Sequence, residues 1–303
     1  MKLTRLLPAL LLCAGMQAAF AAEPKPMKLD EYLALSGPAP TAHLAYGPAP
    51  SQYAELFLPA GTGPFPVAVL VHGGCWTSKF GGITQLRNMA GALAARGIAV
   101  WNVEYRRSDE PGGGYPGTYQ DMHAALELLA GQAPARKLDL KRMVAVGHSA
   151  GGQLVQWMAG RARIPAGSPL YRANPLPMPN VVSLGGLADL RNEAALIKES
   201  CGRDTVELAG TPSRERPDVF VDTNAAELAP NGSRTWLVTG EFDTISPPRV
   251  AHDYAARVRK LGDAAEVVIL PGASHYDEVA ASSPAWPRVL EVIDTALGMA
   301  PAR

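Results

Sequence analysis

Met143-Val144-Ala145-Val146-Gly147-His148-Ser149-Ala150-Gly151-Gly152 is the stretch on which the reading of this chain turns. The first four residues read as a strand, and Leu154, Val155 and Met158 as one face of a helix behind the turn. A turn that passes straight from strand into helix needs small neighbours, because backbone and helix approach closely there. Gly147 and Gly151 meet that need. A serine at the head of a helix can be a simple cap. It can equally be a nucleophile on a strained turn, where the helix N-terminus favours negative charge developing nearby. The motif alone does not separate the two, so the rest of the chain must.

Upstream, His72-Gly73-Gly74-Cys75-Trp76 directly follows the apolar run Val67–Val71. Adjacent glycines let backbone N–H groups approach a reacting carbonyl, which is what stabilises the oxyanion of a tetrahedral intermediate. The expected donors are Gly74, Cys75 and Ala150, the last being the residue after the serine. His72 is assigned to holding the loop. A tight turn with a structural histidine would explain the loop by itself, but not its position ahead of the serine turn. Trp76 is the candidate for an aromatic wall that touches substrate.

Downstream of Ser149 only His252 and His275 remain. His252 sits beside Asp253 within a helical pattern, as a helix-flank residue does. His275 lies in Pro271-Gly272-Ala273-Ser274-His275, just past the strand Glu266–Leu270, and loops at the carboxyl ends of parallel strands are where sites gather. It is the candidate general base, then acid to the leaving group. The carboxylate to orient it should follow the strand Thr235–Val238, where Glu241 and Asp243 are available. Asp243 lies deeper in that loop and leaves room for one helix and one strand before His275, so it is preferred. Asp277 is too near His275 in sequence to orient its ring.

Seven apolar runs carry the rhythm of the fold: Tyr53–Leu58, Val67–Val71, Ile98–Val103, Met143–Val146, Val181–Leu184, Thr235–Val238 and Glu266–Leu270. Helical faces alternate with them at Leu86/Met89/Ala90/Leu93, Ala125/Leu128/Leu129, Tyr254/Val258/Leu261 and Val289/Val292/Ile293/Leu297. Alternation of this kind predicts parallel strand-helix-strand units with helices on both faces of a buried sheet. The stretch 189–232 breaks the rhythm with a helical Leu190–Glu199 and polar loops, and is the candidate roof over a pocket.

Of 303 residues, 28 are basic and 28 acidic, with no long run of either sign. Nothing here draws nucleic acid or an anionic membrane, and a small, roughly neutral substrate is expected. Lys2 and Arg5 precede an apolar stretch, Leu6 to Met16, that is too short to span a bilayer, and Ala19-Phe20-Ala21 offers a signal-peptidase site. The expected organisation is a signal peptide over 1–21, an extended arm over 22–50 and one catalytic domain over 51–303, with the product in the periplasm or the medium. No later stretch approaches membrane-spanning length. Past Ala21 two cysteines remain, Cys75 and Cys201, for which a disulfide and two free thiols are both open. No cysteine–histidine spacing suggests zinc, and no metal or other cofactor is expected.

Taken in order, HGGCW (72–76), Glu104-Tyr105-Arg106, GHSAGG (147–152), GEFD (240–243) and PGASH (271–275) resemble the α/β-hydrolases. The chain is most similar to the esterase branch holding bacterial feruloyl-esterase-like hydrolases and kynurenine formamidases, near the hormone-sensitive-lipase group. The resemblance spans Tyr53 to Leu297 and implies an α/β-hydrolase fold, a mostly parallel sheet with helices on both faces and a small insertion over the site. It also implies a triad of Ser149, Asp243 and His275 and an oxyanion hole at Gly74, Cys75 and Ala150. Two positions depart from the pattern: His148 stands where the lipase-like group reads GDSAGG, and Cys75 where it reads HGGG. The expectation is an exported, metal-independent carboxylic-ester hydrolase. An amidase, arylformamidase or small peptidase on the same triad is the alternative, and a catalytically silent binding module the third reading.

Overall fold

Val67, Val69 and Val71 face one side of the central sheet and Ala68 and Leu70 the other, all without solvent exposure. A strand buried on both faces must be covered by helices on both sides. The computed structural model describes residues 25–300, so the expected signal peptide lies outside the described residues. Its strands are β1 (Ala42–Ala45), β2 (Tyr53–Phe57), β3 (Phe65–Val71), β4 (Ala99–Val103), β5 (Leu138–His148), β6 (Asn180–Leu184), β7 (Arg234–Gly240) and β8 (Ala264–Leu270). The helices are α1 (Leu29–Leu33), α2 (Ile83–Ala95), α3 (Gly117–Arg136), α4 (Ala150–Gly160), α5 (Ala194–Cys201), α6 (Val206–Ala209), α7 (Pro248–Lys260) and α8 (Trp286–Ala296).

The strands form a single sheet in the order β1-β2-β4-β3-β5-β6-β7-β8. β2 pairs antiparallel with β1 and β4, and every other pairing is parallel. On one face, Tyr119, Met122 and Leu126 of α3, Leu154 and Val155 of α4, and Tyr254 and Val258 of α7 share one buried cluster with Met143 and Ala145 of β5. On the other, Leu86, Met89 and Leu93 of α2 and Val289 and Ile293 of α8 share a second buried cluster with Val144 and Val146. Each such side chain contributes roughly 1.5–3 kcal/mol by leaving water. From β3 the chain crosses first to β4 on one side and then to β5 on the other. The crevice at such a reversal, outside the carboxyl ends of the strands, is where ligands bind in open α/β sheets.

Within the expected arm 22–50, the described residues 25–50 are not simply extended. They contribute α1, whose Tyr32 is buried in the α2/α8 core, and the edge strand β1, paired with β2. Ala42-His43-Leu44-Ala45 alternates half-buried with exposed positions, so it carries too little apolar character to stand out. The roof over 189–232 holds α5 and α6, with α5 beginning later than the Leu190–Glu199 pattern suggests. Residues before it are drawn into a turn: Leu190 N–H donates to Asn224 Oδ1 at 2.9 Å, and Asn192 Nδ2 to Asp189 Oδ2 at 2.8 Å. Among the described residues no helix is long and apolar enough to cross a membrane.

Candidate active site

Ser149 occupies the single residue between β5 and α4, with φ 53° and ψ −118°. A side-chain-bearing residue held there costs of order 1–3 kcal/mol and persists only where its surroundings dictate it. Here the surroundings do. The Ser149 N–H donates to Leu184 O of β6 at 2.8 Å. A Cβ on Gly151 would sit 2.1 Å from Val71 O, and one on Gly73 would sit 2.7 Å from His148 Nδ1 and 2.9 Å from Ser149 Cβ. Only glycine lets the serine turn and the loop after β3 touch in this way.

That loop, 72–76, is anchored by His72, which is fully buried. Its Nε2 faces Glu104 Oε1 and its Nδ1 faces Gly73 O, each at 2.7 Å. Tyr105 donates its hydroxyl to His72 O at 3.0 Å and stacks on the ring at a centroid distance of 4.5 Å. Burial works to raise the Glu104 carboxyl, but His72, Arg107 and the hydrogen bonds together hold it below its ordinary value. Past this anchor, Gly74, Cys75 and Trp76 all have positive φ. Gly74 and Cys75 line the same cavity as Ser149. Ala150, as the first residue of α4, has an N–H with no partner inside the helix.

Cys75 is bonded to Cys201 at the end of α5, across 126 residues, with Cα atoms 5.4 Å apart. Of the two states left open by the sequence, the structure holds the disulfide. It joins the loop after β3 to the roof. Closing a loop of that length is worth up to about 5 kcal/mol of chain entropy. A Cys201→Ser variant should therefore melt several degrees below the wild type and lose kcat, because Cys75 is then held by its backbone alone. Unchanged melting and unchanged kcat would separate the bond from the site.

His275, 4% exposed, faces Asp243 Oδ2 through Nδ1 at 2.7 Å. Asp243 Oδ1 accepts the N–H groups of Ile245 and Ser246, both at 2.8 Å, so its two oxygens are fixed from opposite sides. Glu241 is exposed and accepts only from Gly272 N–H, at 2.9 Å. Asp277 organises the turn: it accepts from Ser274 N–H and from Met27 N–H, both at 2.9 Å, and from the Ser283 hydroxyl. His252 is exposed on α7. His148, the departure noted in the serine turn, donates Nε2–H to His275 O at 2.9 Å. Burial, then the neighbouring His275, keep its ring well below the ordinary histidine value, so it stays neutral and serves as a backbone clamp on the His275 loop.

Ser149 and His275 open on a cavity of ≈ 190 Å³. Its apolar walls are Leu29 and Tyr32 of α1, Phe80, Ile245 and Tyr276, and Ser200 of α5 closes the roof side. Trp76 is not among them, which corrects the expected wall. Its side chain is fully buried with Leu187, Leu190 and Ile197 beneath the roof. Tyr276 stacks on Tyr32 at 5.4 Å, and this pair supplies the aromatic surface instead. Tyr276 is signalled by adjacency to His275; Tyr32 carries no signal in its own segment. Among the described residues one group, His148, His275 and Glu278, brings three potential metal-ligating atoms within 4.8 Å of one another. One ring nitrogen of each histidine is engaged, His148 Nε2 with His275 O and His275 Nδ1 with Asp243.

A sequence profile described as the alpha/beta hydrolase fold matches residues 68–277, from β3 through the His275 loop. The chain belongs to this family. No curated protein matches it in sequence. Among solved structures, this alpha/beta hydrolase is similar to a truncated carbohydrate esterase from gut microbiota, at 15% identity and TM-score 0.69, covering 91% of this chain and 100% of that one. It is also similar to esterase B of Lactobacillus rhamnosis in a tributyrin-phosphonate-inhibited form, at 20% identity and TM-score 0.70, covering 86% and 88%. A bacterial heroin esterase aligns at 24% identity and TM-score 0.65, covering 85% and 83%. At these identities the likeness is one of fold.

Proposed function

We propose that this alpha/beta hydrolase is an exported serine esterase that cleaves short, uncharged carboxylic esters through an acyl-enzyme on Ser149. One observation carries the reading: a single cavity holds Ser149, a histidine braced by Asp243 at 2.7 Å, and the Gly74–Cys75 backbone. In the first half-reaction Ser149 Oγ bonds to the ester carbonyl carbon while His275 Nε2 takes its proton. The oxyanion so formed is met by the N–H groups of Gly74, Cys75 and Ala150, each worth on the order of a hundredfold or more in rate. Collapse breaks the C–O bond, and His275 returns the proton to the departing alcohol. Water, deprotonated by the same ring, then releases the acid and restores Ser149. Asp243 keeps the proton on Nδ1 and stabilises the imidazolium that forms.

The size and lining of the cavity support the substrate class. About 190 Å³ is small beside the roughly 300–1,000 Å³ of pockets for drug-sized ligands, and apart from histidine the lining carries no charged side chain. The three similar structures are all named esterases, one of them bound to a tributyrin phosphonate. Export rests on Lys2, Arg5, the apolar Leu6–Met16 stretch and Ala19-Phe20-Ala21. A disulfide tying the roof to the oxyanion loop suits an oxidising compartment. The test is a substrate panel of p-nitrophenyl esters from acetyl to decanoyl, with a formanilide and an aminoacyl amide beside them. The expected result is a maximum of kcat/KM between acetyl and butyryl and at least a roughly tenfold fall by octanoyl. Faster turnover of the amide or formanilide would transfer the enzyme to the amidases. Protein recovered from outside the cytoplasm should begin at Ala22.

A further inference from the structure

Glu278 lies beside the triad, and none of the steps above uses it. It belongs to the short 3-10 turn Asp277–Val279 that closes the His275 loop, and it is fully buried. Its Oε1 accepts the N–H of Gly240, the last residue of the strand that delivers Asp243, at 2.7 Å. Its Oε2 has no donor partner. A Cβ on Gly185, where φ is +53°, would lie 2.6 Å from Glu278 Oε2 and 2.7 Å from His275 Nδ1. The bare glycine therefore leaves open the gap in which these groups meet. Asp243 Oδ2 lies 2.7 Å from that same His275 Nδ1, so the two carboxyl groups converge on one ring nitrogen. The titratable groups around Glu278 are Asp243 from the loop after β7, His148 from the serine turn, and His275 and Asp277 from its own loop.

Two carboxyl groups buried side by side do not both ionise; one keeps a proton. Asp243 accepts N–H donors from Ile245, Ser246 and His275, and a carboxylate so served favours its charged form. Glu278 has one donor. The proton that joins the pair therefore resides on Glu278. We propose that Glu278 is a positioning residue, a neutral carboxylic acid whose Oε2–H donates to the Asp243 carboxylate and holds it square to His275 Nδ1. Burial, and next the charge of Asp243, push the Glu278 carboxyl well above its ordinary range, in agreement with this geometry. The inference rests on the esterase reading of the triad.

Glu278→Leu should lower kcat on p-nitrophenyl acetate by on the order of ten- to a hundredfold with little change in KM, the cost of a misaimed base. Glu278→Gln should recover most of that loss, since its amide can donate to Asp243 and accept from Gly240. Wild-type kcat in Glu278→Leu, or a Gln variant as slow as the Leu one with native circular dichroism, would overturn the proposal. If Glu278→Leu does not fold, infrared difference spectra of wild type against Glu278→Gln decide. A protonated-carboxyl C=O band at neutral pH is expected, and an ionised carboxylate band in its place counts against it. Stability gives a further check. A carboxyl raised in the folded state stabilises fully below its unfolded value, and that contribution is lost as pH rises through the folded value. Glu278→Gln should therefore flatten the decline of melting temperature with rising pH, and an unchanged slope contradicts the proposal. Ser149→Ala, run alongside, keeps the two readings apart. If it remains active the esterase assignment fails, whereas the infrared and melting results still judge Glu278 alone.

Discussion

Ser149→Ala should abolish turnover of p-nitrophenyl acetate, with a loss of roughly 10⁶ in kcat, while the melting temperature stays close to that of the wild type. The loss is that large because Ser149 is the group that forms the acyl bond in the proposed mechanism; binding and the oxyanion donors alone retain only about 10³–10⁴ over water. Stability survives for a separate reason. What holds the turn is backbone: the 149 N–H to Leu184 O, and the close approach at Gly151 and Gly73. Alanine keeps all of it and meets the same strain at φ 53° as serine does. A phosphonate probe should label the wild type at Ser149 and leave the variant untouched. Turnover within tenfold of wild type would remove Ser149 from the mechanism.

Asp243→Asn should cost about 10⁴ in kcat, and the reason is the direction of its hydrogen bonds. Oδ1 accepts two backbone N–H groups, so the oxygen of an asparagine stays on that side. The amide nitrogen then faces His275 Nδ1 as a donor and forces the ring's proton onto Nε2. A ring in that tautomer cannot take the proton of Ser149. Glu241→Gln should change kcat by less than about threefold, because that side chain is exposed and holds only Gly272 N–H. The reverse pattern in steady-state kinetics would move the orienting role to Glu241.

What could be read from the amino acids was whatever a site demands locally. A strand, small residues and a helix in succession define the Ser149 turn; paired glycines after a strand define the loop at 72–76; a histidine past the last strand stands out by elimination. The seven expected strands lie in the observed sheet: burial on both faces enforces continuous apolar runs in the central ones, whereas the edge strand β8 is exposed at several positions and shows only through its β-branched residues. What escaped depends on contacts between distant segments or on dihedral angles. Trp76 looked like a cavity wall from its place after the glycines, but positive φ at Cys75 and at Trp76 accompanies its burial beneath the roof. Tyr32 reaches the site because Met27 N–H is tied to Asp277 across 250 residues, a pairing with no local signature. Glu278 reads as one more loop carboxylate until its burial beside Asp243 is seen.

The wall formed by α1 also bears on where this enzyme can be cut or fused. The span that defines its kinship, 68–277, omits Leu29, Tyr32, β1 and β2 at one end and α8 at the other. A chain shortened to that span would keep Ser149, Asp243 and His275, yet would lose the α1 wall of the cavity, Leu29 and Tyr32. Kinship and competence thus have different boundaries here. A fusion partner joined just ahead of Met27 would arrive two residues from Leu29, which lines the cavity.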